Sequence, residues 1–435
     1  MMRDTKRSPR ILPLLAAMLL SVTWAAPRAS AQPLPSISDR PAATLLLPYF
    51  EVDLANPAGA NTLFTINNAS ATAVMAHVTL WSTMHVPVHT FNVYLTGFDS
   101  QPIYVRDVIN GALPQTASAA QDPQDTISPH GGSSQDITFP GCAGQLPYPA
   151  LPAGTIAHLK AALTGQPSAL AGGLCASISD GTQIAKGYIT VDTVSNCTTK
   201  TPADAGYFAS GLGDATNQNV LWGDYVYTNH LGGLESSDGS PLVHIRANAA
   251  DTETSVPGNY TFYGRLVGWT AVDNREPLST SFVARFVTGS SAFTSTNLTV
   301  WRDAKTVQSY FACSGKPSWY PLGQENITIF DEQEHPSIQA SVPFAPQPPN
   351  AGLIPFPAGA QRVTVGSSQL PSPYSSGWIF LDFNTTVTGN PNPPEDPAAA
   401  QAWVDVHMKG NGRYSVGWPG IMIDSAKSTN HLHPQ

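Results

Sequence analysis

"NTLFTINNASATAVMAHVTLW" (Asn61–Trp81) and "TSFVARFVTGSSAFTSTNLTVW" (Thr280–Trp301) are two versions of one pattern, about 220 residues apart. Each holds two runs in which apolar and polar residues alternate, a small-residue break between them, and a closing tryptophan. A period of two sends successive side chains to opposite faces, which is the requirement of a half-buried β-strand. The repeated stretch therefore reads as one strand pair used twice.

The same period recurs outward from both copies. In the first half it marks Thr44–Val52, Thr62–Asn68, Ala76–Trp81, Phe91–Thr96, Gly187–Val194, Asn219–Thr228 and Leu242–Ala247. In the second it marks Tyr260–Trp269, Ser281–Thr288, Asn297–Trp301, Asn326–Phe330, Gln361–Gly366, Gly377–Phe383, Ala402–Met408 and Arg413–Trp418. Gly, Pro, Asn and Asp clusters separate them and read as turns. Several runs correspond in order: "VTLW" with "LTVW", "FNVYL" with "NITIF", "GYITVD" with "GWIFLD", "LWGDYV" with "AWVDVH". This collinearity predicts a mainly β chain of two duplicated, immunoglobulin-like β-sandwich units, at 41–250 and 251–425, with a flexible tail at 426–435. Trp81 and Trp301 are expected at equivalent strand ends, plugging a core or lining a rim.

Residues 111–173 break the pattern. They are polar and rich in Pro and Gly, and read as a loop insertion in the first sandwich. Within it, "LPAGTIAHLKAALTG" (Leu151–Gly165) is the one convincing helix. Ile156, Leu159 and Leu163 recur at helical spacing, and Gly165 with Pro167 stops it.

The first 31 residues read as a signal peptide: a basic start, an apolar run and "ASA" at Ala29–Ala31, with cleavage expected after Ala31. Five Lys/Arg and one Asp fall in this segment, leaving 16 basic against 29 acidic residues and a net charge of −13 in the mature chain. Nucleic acid and anionic membrane surfaces need basic patches, so neither is expected as a partner, and no membrane insertion is expected. Only 12% of residues are charged, which suits an extracytoplasmic β protein better than long helices. The expected place is the periplasm or the outside of the cell.

Four cysteines, Cys142, Cys175, Cys197 and Cys313, lie in this exported part, where disulfides persist. Their spacing matches no metal motif, and three pairings exist. Cys142–Cys175 is favoured as closing the insertion, with Cys197–Cys313 tying the two halves. A Cys175–Cys197 hairpin bridge is the main rival.

Charges are few, so clusters of them stand out. Asp331, Glu332 and Glu334 with His335 end one strand, and Asp273 and Glu276 flank Arg275 in a loop. On a continued strand Glu332 and Glu334 would share one face about 6.8 Å apart. Such a pair could hold Ca²⁺ with backbone carbonyls, or act as a glycosidase acid–base pair. The plainer alternative pairs them with Arg275 or Arg302 or leaves them solvated. No cofactor is expected, with calcium at this cluster kept as the open alternative. His85 and His89 in "MHVPVH" would share a face of an extended segment as candidate Zn²⁺ or Cu²⁺ ligands, although Pro87 and the lack of a third ligand weaken the pattern. No nucleophile elbow, HExxH, P-loop or dinucleotide fingerprint occurs. Trp222, Tyr225, Trp319 and Tyr320 stand in or beside Gly/Pro-bearing loops, where rings can face a sugar or a peptide, or else pack into the core.

"LLLPYFEVDL", "FNVYLTGFD", "GYITVDTVSNC", "NVLWGDYVY", "YTFYGRLVGW", "DNREPL", "WYPLGQE" and "IFDEQEHP" together resemble a family of uncharacterised secreted proteins of Gram-negative and related bacteria. The resemblance implies export and a β-rich extracytoplasmic protein, and lends no catalytic position. The expectation from sequence is thus an exported binding or structural β-sandwich protein acting on protein or glycan at the cell surface, and not an enzyme. Its rivals are a glycan-active hydrolase built on the carboxylates and a metal-stabilised surface protein.

Overall fold

Ten strands arise from the first half of the chain: β1 (Thr44–Asp53), β2 (Asn61–Asn68), β3 (Val74–Ser82), β4 (Pro87–Leu95), β5 (Ser100–Tyr104), β6 (Ile184–Val194), β7 (Leu221–Trp222), β8 (Asp224–Thr228), β9 (Ser237–Pro241) and β10 (Val243–Ile245). Nine follow: β11 (Ser279–Val287), β12 (Phe293–Arg302), β13 (Thr328–Phe330), β14 (Pro336–Ile338), β15 (Ala360–Thr364), β16 (Ser376–Asp382), β17 (Ala402–Gly410), β18 (Ser415–Pro419) and β19 (Ile421–Ser425). The helices are α1 (Val105–Ile109), α2 (Ala153–Thr164) and α3 (Thr252–Ser255). This computed structural model describes residues 40–115, 142, 146, 148–228, 237–257, 261–304, 308–315, 327–338, 358–368, 370–383, 401–410 and 415–425. The signal segment, most of 116–147, Trp319, Tyr320 and the tail lie outside the described residues.

The protein is mainly β, and the described residues form four antiparallel sheets. Their orders are β10-β1-β6-β3-β4, β5-β2-β8-β9 with β7 also on β2, β14-β13-β16-β11-β19, and β15-β12-β17-β18. In the first half β2 pairs with β5 and β8, while β3 pairs with β4 and β6. In the second half β11 pairs with β16 and β19, while β12 pairs with β15 and β17. Six strands in one chain order thus make the same set of pairs in each half. These pairs align β4 with β15 and β6 with β17, rather than with the β13 and β16 runs that look most alike in sequence. β13 cannot match β4, because it joins the sheet of β11 and not that of β12.

Two apolar cores result. The larger is lined by β1 to β8 and also takes in Phe262, Tyr263, Leu278, Trp301 and Trp403. The smaller is lined by β11, β12, β13, β15, β16 and β17 and includes Phe282, Phe286, Leu298, Ile379 and Val404. β3 is buried along its whole length, VMAHVTLWS, so its outward positions are covered too. Part of that cover comes from α2, which packs on β4 and β6 of the same sheet. The helix starts where Pro152 fixes its φ and ends at Gly165 in the left-handed region, φ 71°. A side chain at Gly165 would also lie 2.3 Å from the Ser179 nitrogen, so glycine is required twice over.

One expected strand is absent. "YTFYGRLVGW" forms successive turns from Phe262, with Gly264 N–H donating to Thr261 O and both Leu266 and Val267 N–H to Tyr263 O. Gly268 and Trp269 take positive φ, 63° and 60°, which no strand accommodates. The run alternates because Phe262 and Tyr263 plug the larger core from a loop. β5, β9, β14 and β19 were not legible, being short and interrupted by Pro, Gly or Ser.

The cysteine pairing also differs from expectation. Cys142 bonds to Cys197 and Cys175 to Cys313, each with Cα atoms 5.0 Å apart, so neither Cys142–Cys175 nor Cys197–Cys313 forms. Proximity in space decides this. Cys175 and Phe311 exchange backbone N–H···O hydrogen bonds of 2.8 and 2.9 Å, which brings Cys313 alongside. Tyr148 OH accepts from the Asn92 N–H at 2.8 Å and from Asn92 Nδ2 at 3.1 Å, and Asn92 Nδ2 also donates to Thr198 O at 3.0 Å, which brings the insertion beside Cys197, just past the end of β6.

Candidate functional site

The candidate residues fall into three environments. The first is the interior, where Asp192, Arg265, Asp273, Arg275, Arg302, Asp303 and Asp405 are buried. Asp192 on β6 accepts from Thr44 Oγ1, from Tyr207 OH at 2.9 Å and from Tyr263 OH at 3.0 Å. Arg275 lies 3.9 Å from it, with both side chains fully buried. Arg275 also donates to Thr44 Oγ1, Asn217 Oδ1, Asp273 O and Thr216 O at 2.7–3.0 Å. A buried guanidinium needs such partners, because desolvation outweighs a lone ion pair. A second buried pair, Arg265 with Asp303, is joined by Ala304 N–H donating to Asp303 Oδ1 at 2.9 Å. A third group links the halves: Tyr225 OH and Trp403 Nε1 both donate to Asp405. Arg362 spans the same seam, 3.4 Å from Glu51 and over the Tyr227 ring.

Asp273 belongs to this interior. Tyr263 N–H donates to its Oδ2 at 3.0 Å, and burial pushes its carboxyl up to about 6. Glu276 follows it with its N–H donating to Arg246 O. The other acidic candidates occupy the open turn between β13 and β14. Asp331 accepts from Gln333 and His335 N–H and pairs with His335 Nδ1 at 2.8 Å. Desolvation pushes its carboxyl up, but the bonds from His335 and Gln333 together outweigh it and hold the group below the usual range. Glu332 faces Arg285 at 3.6 Å, both exposed, and Glu334 sits at positive φ, 65°. Glu332 and Glu334 therefore do not share a strand face, since the strand ends at Phe330. No hydrogen bond or ion pair among the described residues joins the Asp273 loop to the Asp331 turn.

His85 and His89 also part company. His85 lies in the β3–β4 turn at φ 61°, fully buried, with Nδ1 hydrogen-bonded to Tyr188 OH at 2.8 Å. Burial, with Arg265 beside it, holds it well below the usual imidazole range. His89 is on β4, lowered to about 4 by burial and by neighbouring His158. His158 on α2 connects Ser168 Oγ, 2.6 Å from Nδ1, with Tyr310 OH, 3.0 Å from Nε2. The Tyr310 hydroxyl reaches on to Pro87 O at 3.3 Å. This chain fastens α2, β4 and the segment before Cys313 together. Among the described residues no three His, Cys, Asp or Glu side chains converge as a metal site.

The third environment is the outer face of the sheet containing β2. Along β2, Phe64 and Ile66 point into the core, while Leu63 and Thr65 are half-buried on the other face and Asn67, which follows them by alternation, is covered. Tyr104 of β5 stands opposite Leu63, and Trp222 of β7 opposite Asn67. Tyr104 is 48% exposed and Trp222 44%. Tyr225 alternates to the other side and is buried. Of the aromatic candidates within the described residues, Trp222 is thus the one presented to solvent. Tyr104 was missed because Pro102 masks the period of "SQPIY"; the alternation of Ile103 with Pro102 and Tyr104 was the available signal.

What these features define is a mainly β, doubly disulfide-bonded chain with several buried ionic groups and with two exposed rings, Tyr104 and Trp222, on one sheet face. No protein-family model matches the sequence, and neither a curated protein nor a solved structure matches it.

Proposed function

We propose that the protein is an exported binding or structural protein, built from two immunoglobulin-like β-sandwich units of common origin and presenting sheet faces and loops to protein or glycan. Common origin is supported by the six-strand pairing set that recurs in the two halves. The feature that favours an immunoglobulin-like reading is that the chain passes from one antiparallel sheet to another between β2 and β3 and between β11 and β12, with β3 and β12 each paired on both sides. Export is supported by the N-terminal sequence and by two disulfides. Among the described residues no helix is long and apolar enough to cross a membrane.

The observation that carries binding over hydrolysis is the separation of the carboxylates. A glycosidase needs two carboxyl groups facing one sugar from a few ångströms apart. Here the carboxyl raised by burial, Asp273, is fully enclosed, while Asp331 and Glu332 are tied to His335 and Arg285 on an open turn. The test is to incubate the chain lacking residues 1–31 with soluble polysaccharides and measure reducing ends. No release is expected. Release that is lost in Asp273→Asn or Glu332→Gln would replace this reading with the hydrolase.

A further inference from the structure

We infer that the outward face of the β5-β2-β7/β8 sheet is a platform for a neutral oligosaccharide, with Tyr104 and Trp222 as stacking rings and Thr65 and Asp224 as the polar groups between them. The inference rests on the binding function proposed above and names its ligand class and its site.

Register places the groups. Tyr104 and Trp222 flank β2 on opposite sides, four residues apart along it, so their positions on the sheet are about 17 Å apart from strand rise and strand spacing. That is the span of a short oligosaccharide and exceeds that of one sugar ring. Between them, Thr65 Oγ1 donates to Asp224 Oδ1 at 2.7 Å, and Asn67 Nδ2 donates to Trp222 O at 3.2 Å. These bonds hold the polar groups in place before any ligand arrives, which lowers the ordering cost of binding. Gly223 permits the arrangement. A side chain there would come within 2.2 Å of Thr65 O, so only glycine keeps Trp222 and Asp224 both in register with β2.

The chemistry selects the ligand. A sugar presents an apolar C–H face to a ring and hydroxyls to carboxylate and hydroxyl groups, and this face alternates those two kinds of surface. The outward positions of β2, β5, β7 and β8 contain no Lys or Arg and one carboxylate, Asp224, already engaged by Thr65. An anionic partner finds no cation there, and a basic peptide finds one occupied acid. A neutral polyol meets no charge mismatch. The two aromatics are large rigid surfaces left open to solvent on a regular strand, where an unliganded sheet would carry Thr or Lys.

The experiment is affinity electrophoresis of the mature protein through gels containing soluble β-glucan, xylan, galactomannan or, as an anionic comparison, alginate. Retardation by at least one neutral polysaccharide is expected, weakened roughly tenfold or more in Trp222→Ala and Tyr104→Ala. Leu212→Ser, at an exposed turn residue outside this sheet, should migrate as the wild type does. Both aromatic variants expose no new core, and unchanged thermal unfolding will confirm that they fold. Retardation that survives both substitutions overturns the site while leaving a binding protein. Retardation by alginate alone, or by no gel, overturns the neutral-glycan assignment. Release of reducing ends in the same gels would instead overturn the binding function itself.

Discussion

Trp81 and Trp301, the tryptophans that close the two repeated stretches, pack against the same tyrosine. Tyr188 lies stacked on Trp81 with ring centroids 5.6 Å apart and meets Trp301 edge-on at 5.9 Å. The equivalent ends of two similar strands are thus buried in one aromatic cluster, with His85 edge-on to both Tyr188 and Trp301.

The first prediction follows from that cluster. Trp301→Ala removes a fully buried ring from the larger core although it belongs to a strand of the second half. A loss of about 3–5 kcal/mol is expected. Urea unfolding followed by fluorescence and by far-UV circular dichroism should shift together, because the ring is shared between halves. Separate transitions would show that the halves unfold independently.

Asp273 gives a pH prediction. Burial raises its carboxyl from 3.8 to about 6, so between those values the folded chain holds a proton that the unfolded chain has released. Stability contributed by this group therefore falls as pH rises from about 4 to 6 and stays low above. Arg275 does not cancel the effect, because it donates to the Asp273 backbone carbonyl and stands nearest Asp192. Asp273→Asn should stabilise the protein by up to about 3 kcal/mol at pH 7 and change little near pH 4. Denaturant midpoints at both pH values check this.

His89 works in the opposite direction. Its imidazole is lowered to about 4 by burial and by His158, so below pH 6.5 the unfolded chain gains a proton that the folded chain refuses. Stability is full above about 6.5 and is lost as pH falls towards 4. His85, also lowered by burial, adds to the loss. His89→Gln should flatten the slope of stability against pH in that window by about one proton's worth, roughly 1.4 kcal/mol per pH unit at its steepest. A slope unchanged by the substitution would remove His89 as a source.

The disulfides make a prediction about connectivity. Non-reducing peptide mapping should recover Cys142 with Cys197 and Cys175 with Cys313. The second closes the longer loop, 138 residues against 55. Replacing Cys175 and Cys313 by Ser should cost about 3–5 kcal/mol, and about 1 kcal/mol more than replacing the other pair. Equal costs would point to native-state contacts rather than loop closure as the dominant effect.

The buried ion pair gives the last. Arg275→Leu leaves Asp192 enclosed with only hydroxyl donors. A loss of about 3–5 kcal/mol is expected, because a buried carboxylate is left without its ionic partner. Thermal melts of Arg275→Leu alone and combined with Asp192→Asn distinguish this from a simple packing defect, which the second substitution would not relieve.

What the sequence by itself determined was local. Alternation with β-branched and aromatic residues made β1, β2, β3, β6, β11, β12 and β17 legible, because each is long enough for its period to be read without its neighbours. α2 was legible from helical spacing and its terminal glycine, for the same reason. Tertiary structure alone decided everything that depends on which distant segments meet. It turned "YTFYGRLVGW" from a strand into a plug, since alternation records only that side chains are buried and not that the backbone finds a pairing partner. It set the cysteine pairs through a backbone bridge between Cys175 and Phe311 that no spacing rule contains. It sent Asp273 inward and Asp331 outward, although both stand in similarly charged stretches, because a carboxylate's surroundings are supplied by chain remote from it. Tyr104 and Trp222, 118 residues apart in sequence, share a face only because β5 and β7 both pair with β2.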